Sequence, residues 1–212
     1  MLNAMMTPPK GWTWTNNGIG FLPLDNPVPY DKNYWNNYER LAGTDQGRII
    51  NRIRSDLVER WTPTGDRLLL DVGIGCGAFL QQMKSHTWWK VYGTDVNPVA
   101  IDWLAKHDML MPTGLRARTL TFWDVLEHIP QPADVIEPHC AQWIFLSMPI
   151  YRDEHHALTS KHFKPGEHCW YFTRPGLESF MFNYRYELVE ANKQETIIGG
   201  REDVWGFAFR RI

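Results

Sequence analysis

Residues 69–77 read LLDVGIGCG: an apolar run, an acid inside it, then glycine at every second position. No other stretch limits the fold as tightly. The run rich in Leu and Val suits a strand buried on both faces. Glycines at 73, 75 and 77 let the backbone turn sharply and let a ligand approach where a Cβ would stand. Residues 78–84 continue as a helix, whose first N–H groups and positive dipole end face the loop. A second strand is predicted over 89–94 and ends at Asp95. Asn97 and Pro98 then pair an N-cap acceptor with proline at the first helical position. A carboxylate at 95 can accept from both hydroxyls of a ribose.

The alternation continues along the chain. Strands are predicted over 119–123 and 143–148, a short helix over 131–136, a helix after a Thr173 cap, and closing strands over 186–190 and 204–210. Upstream, Ile49, Ile53 and Leu57 recur every fourth residue, with Ile50, Val58 and Trp61 widening the stripe, so 44–61 reads as a helix. The fold expected is α/β: a Rossmann-like, mostly parallel sheet with helices on both faces. Residues 1–44 are expected to form an extension and 45–212 the domain. The extension has turn residues throughout and no sustained period, yet Trp12, Trp14, Phe21, Tyr30, Tyr34, Trp35 and Tyr38 are too many aromatics for a disordered tail. It is expected to pack over a ligand.

Charge narrows the partners. With 22 basic and 24 acidic residues the formal charge is −2, which argues against a broad phosphate-binding face. The three cysteines, 76, 140 and 169, form no CxxC pair and suit a reducing compartment. No apolar run approaches the roughly 20 residues of a membrane helix, and residues 1–9 lack a signal-peptide pattern. The expected location is cytoplasmic, with no membrane contact.

The glycine loop admits two readings. GIGCGA at 73–78 fits the nicotinamide-type GxGxxA fingerprint. It also fits a site for S-adenosylmethionine: Asp71 would repel a pyrophosphate and suits the amino group of a methionine tail, and little chain remains after the loop for a separate catalytic domain. Together, residues 71–77, GTDVN at 93–97 and FWDVLEHIP at 122–130 resemble the class I S-adenosylmethionine-dependent methyltransferases. The resemblance spans roughly residues 45–212 and implies a seven-stranded sheet with the cofactor across the strand tips. It places Asp71, Gly73, Gly75 and Gly77 at the methionine end, Asp95 on the ribose, Val96 against adenine and Asp124 beside the methyl donor. The third strand of the family is expected as a stub near residues 108–111. The acid that often contacts the adenine amino group is missing, with Asp108 a substitute.

Asp124, Glu127 and His128 follow a predicted strand. Ubiquinone-pathway O-methyltransferases and small-RNA ribose methyltransferases carry an acid-x-x-Glu-His here with a divalent cation, so the resemblance makes these three candidate metal ligands. The alternatives are acid–base work by His128 or Glu127, or local bonding that fixes the loop. His155, His156, His162 and His168 lie downstream and are candidates to complete such a ligand shell; with Trp170, Tyr171 and Phe172 they suggest a polar, aromatic-lined acceptor wall, a pattern similar to that of bacterial and phage methyltransferases. Tyr30, Tyr34 and Trp35 are expected to close over the donor; residues 199–203 read as a turn between the closing strands, with contact of Arg201 to an anionic acceptor as the alternative. The function implied is methyl transfer to an O or N nucleophile of a small molecule. The alternatives are a nicotinamide-dependent oxidoreductase, a non-catalytic binding module, and a nucleic-acid methyltransferase with Arg116, Arg118, Lys161 and Lys164 on its rim.

Overall fold

The computed structural model describes residues 7–25, 28–65 and 67–212. Residues 1–6, on which part of the signal-peptide reading rests, lie outside them. A hairpin of β1 (Thr13–Trp14) and β2 (Ile19–Phe21) opens the chain, followed by α1 (Lys32–Ala42) and α2 (Asp45–Trp61). The glycine loop joins β3 (Leu68–Val72) to α3 (Ala78–Ser85), and β4 (Lys90–Thr94) runs into α4 (Pro98–Lys106). Next come β5 (Thr119–Trp123), a 3-10 turn (Leu126–His128), α5 (Ala133–Ile136), β6 (Trp143–Tyr151) and α6 (Glu154–Thr159). The chain closes with β7 (Trp170–Thr173), α7 (Arg174–Asn183), β8 (Tyr186–Asn192), α8 (Gln194–Ile197) and β9 (Val204–Arg211).

Strands β4, β3, β5 and β6 lie side by side and parallel; β9 pairs antiparallel with β6, and β8 with β9. Among the described residues the sheet holds nine strands rather than seven, because β1, β2 and β7 are added while one family strand is lost. The family's third strand is reduced to one bridge, Leu110 beside Gly93. Alternation along each strand sends Leu70, Leu120 and Leu146 to one core layer and Leu69 and Phe145 to the other, under α2 and α3. Helices on both faces therefore leave the C-terminal strand tips as the open rim. The extension is more regular than its composition suggests: Asp31 caps α1 by accepting from the N–H groups of Asn33 and Tyr34. No helix among the described residues is long and apolar enough to cross a membrane.

Candidate active site

The glycine loop forms the donor side of the rim. A Cβ at Gly73 would meet Val125 at 2.6 Å, and one at Gly77 would meet Trp103 at 2.5 Å, so these two are demanded by packing. At Gly75 a Cβ would meet only the Tyr38 ring, at 3.6 Å, and this face opens to the cleft. Asp95 follows β4 and turns its carboxylate back toward the loop, accepting from Asn97 N–H at 2.8 Å. Burial pushes its carboxyl above the usual range, while the N–H groups of Asn97, Gly75, Val96 and Ile74 pull the other way. Val96, the expected adenine contact, is 76% exposed, an apolar side chain left in the open. Asp71 lies deeper, buried in β3, with the Thr121 hydroxyl donating to it at 2.6 Å.

The opposite side of the rim is built on the turn after β5. Asp124 sits at φ 58°, a left-handed conformation that swings the chain off the strand. Its Oδ2 accepts from Arg54 and from Arg201, each at 2.7 Å. Both arginines also bind Glu195, which is 1% exposed, and Arg54 donates to Ser147 at 3.1 Å. Burial alone would raise the Asp124 carboxyl; the two guanidiniums overcome it and hold it well below the usual range. Arg201, the candidate contact to an anionic acceptor, is therefore engaged inside the protein. Arg54 and Glu195 were not expected at all.

While Asp124 is held apart by the two arginines, Glu127 and His128 lie together with His168. Their ligand atoms all lie within 4.8 Å of one another. Among the described residues, both Glu127 carboxylate oxygens are buried without a hydrogen-bond partner, as is Nδ1 of His168. Burial, and then the Asp124 charge, pushes the Glu127 carboxyl well up. His128 Nδ1 lies 2.8 Å from the Glu167 carbonyl oxygen. A carbonyl can only accept, so the proton sits on Nδ1 and Nε2 keeps its lone pair. Burial lowers both imidazoles, that of His168 to about 3, so both are neutral. A carboxylate lacking partners beside two neutral imidazoles fits a divalent cation of zinc or manganese type.

The extension covers this rim. Tyr30 Oη lies 3.3 Å from His128 Nδ1, and Tyr30, Tyr34 and Tyr38 pack in series at ring distances of 4.8 and 4.7 Å. Trp35, expected over the ligand, is instead buried against Trp103 at 6.0 Å. Tyr171 and Phe172, expected in the acceptor wall, are fully buried core residues of β7. Lys161 and Lys164, expected on a basic rim, pair with Glu202 and Glu167 at 2.8 and 3.2 Å. Asp108 stands before the Leu110 bridge, at the end of α4, away from the strand tips.

Glycine loop, strand-tip acid and parallel sheet define a Rossmann-like nucleoside-binding fold. A family model described as a methyltransferase domain matches residues 39–191. The chain belongs to that family, the class I S-adenosylmethionine-dependent methyltransferases. Magnesium protoporphyrin IX methyltransferase from Synechocystis PCC 6803, solved with S-adenosylhomocysteine, is 14% identical at a TM-score of 0.61, over 86% of this chain and 96% of that one. A methyltransferase from Aquifex aeolicus is 11% identical at 0.59, covering 84% and 98%. The 1,6-didemethyltoxoflavin-N1-methyltransferase of Burkholderia thailandensis, with its substrate and S-adenosylhomocysteine bound, is 12% identical at 0.56, covering 94% and 98%. No curated protein matches the sequence.

Proposed function

We propose that the protein moves the methyl group of S-adenosylmethionine to a hydroxyl or amine of a small molecule. The observation that carries this reading is the set of unpartnered polar atoms on Glu127 and His168, with the Nε2 lone pair of His128, at the tip of β5 beside the donor loop. Asp95 takes the ribose, Asp71 and the glycine loop the methionine end, and Val96 the adenine. Transfer from a sulfonium is an in-line displacement, so the protein's work is to align the nucleophile and remove its proton. His128 Nε2 accepts that proton, Glu127 orients the nucleophile, and Tyr30 closes the site from above. The paired lysines and the near-neutral charge favour a small acceptor over a nucleic acid.

The same residues fit a divalent cation, held by Glu127, His128 and His168, which would supply Lewis-acid lowering of a hydroxyl pKa. After loading with Zn²⁺ or Mn²⁺ and desalting, elemental analysis is expected to find a stoichiometric ion in the wild type and a loss in Glu127→Gln and His168→Ala. Wild-type retention by both variants removes the cation from the account. The transfer itself is tested with low-molecular-weight extracts, by mass spectrometry for products that gain one CH₂. His128→Gln is expected to lose product while binding S-adenosylhomocysteine within about threefold of wild type, and Asp95→Ala to weaken that binding at least about tenfold. Wild-type turnover by His128→Gln, or wild-type binding by Asp95→Ala, would overturn these assignments.

A further inference from the structure

Parallel strands are ordinarily joined by a crossover of a dozen or more residues, usually carrying a helix. Between the Leu110 bridge and Thr119 of β5 this chain has only residues 111–118, which form a single turn closed by Leu115 N–H on the Pro112 carbonyl at 3.2 Å. With no helix in this connection, this flank of the sheet holds a groove of about 450 Å³, lined by Thr94, residues 111–115, Arg116, and Pro138 and His139 from the segment before β6. Among the described residues no carboxylate lines it. Thr94 is the last residue of β4, next to Asp95, so the groove begins where the donor cleft ends.

The strand order fixes which part of the donor meets it. From the edge inward the tips run Leu110, β4, β3, β5. A nucleoside held by its ribose at Asp95, with its sulfonium directed toward the turn after β5, must project its base toward the edge, over Val96 and Met111. The base then meets an open groove with no acid to receive its amino group, since Asp108 stands behind the bridge. We propose that this groove extends the donor site and admits a substituent on the 6-amino nitrogen of the purine, so that donors with an enlarged base are accepted. The proposal rests on the methyl-donor reading of the cleft.

Calorimetry on the full chain tests it, with S-adenosylhomocysteine and its N6-benzyl derivative as ligands. The two are expected to bind within about threefold of each other. Thr113→Trp, an exposed turn position whose new ring fills the groove, is expected to keep the parent ligand and weaken the benzyl derivative at least about tenfold. A tenfold weaker benzyl ligand on the wild-type chain overturns the proposal, and so does a Trp variant that weakens both ligands alike. If S-adenosylhomocysteine itself fails to bind, the donor reading falls first and this inference with it.

Discussion

Asp71 shows how a single buried residue makes the fold depend on pH. It lies in the middle of β3, and burial pushes its carboxyl up to about 8, against the Thr121 hydroxyl and the Arg54 charge, which pull it down. Its unfolded value is about 3.9, so the folded state prefers the protonated form. That preference stabilises the fold fully below about pH 4 and is lost as pH rises through 8. At about 1.4 kcal/mol per unit, the loss from this carboxyl between pH 5 and 8 reaches up to about 4 kcal/mol. Urea unfolding across that range is expected to show wild-type stability falling toward pH 8 more steeply than that of Asp71→Asn, which keeps the contribution of the buried Glu127. Equal slopes for the two proteins would show that Asp71 ionises without cost.

Among the elements, α2 carries the feature that reading by pattern passed over. Ile50, Ile53, Leu57, Val58 and Trp61 mark its apolar stripe, and Arg54 stands inside that stripe, four residues after Ile50 and three before Leu57. A cation at a buried helical position signals a buried partner, and that signal was present in the sequence. Its partner Glu195 was not legible, because it sits on a four-residue helix with no period. The same contrast runs through the fold. The glycine loop, Asp95, the Asn97 cap and β5 were legible because turn chemistry and apolar runs are local. Helix α1 was hidden by its Asn- and Tyr-rich sequence, and is held by the Asp31 cap and by Trp35 in the core. Replacing Arg54 by Met leaves Glu195 buried with only Arg201 to balance it, and should cost about 3–5 kcal/mol of unfolding free energy. Arg54→Met combined with Glu195→Gln is expected to recover part of that loss. A double variant as unstable as the sum of both single changes would mean that the pair is not coupled.

At the scale of the whole molecule, the extension works as a strap across the rim. Leu22 N–H bonds to Cys169 at the start of the β7 side, and Val28 N–H reaches Gly166. Tyr30 then touches His128, the Asp31 carbonyl accepts from Asn97 Nδ2 at 3.1 Å, and Tyr38 lies over Gly75. One segment thus spans the acceptor turn, the strand-tip acid and the glycine loop in succession. Beyond the β2 pairing with β7 and the buried Trp35, the ties of residues 28–38 are single hydrogen bonds and stacked rings near the surface, whereas β6 is buried along its full length, so this part of the strap belongs to the low-stability end of the molecule. A ligand under it adds contacts to a segment that has few. Deuterium exchange is therefore expected to be fast over α1 and slow over β3, β5 and β6, and S-adenosylhomocysteine should slow α1 selectively. Asn97→Ala, which removes the tie to Asp31, should speed exchange in α1 without changing it in β6. Exchange in α1 that is already as slow as in the sheet, or unmoved by the ligand, would make the extension a fixed wall, and entry to the site would then have to come from the Ile197 side of the rim, where apolar side chains stand exposed.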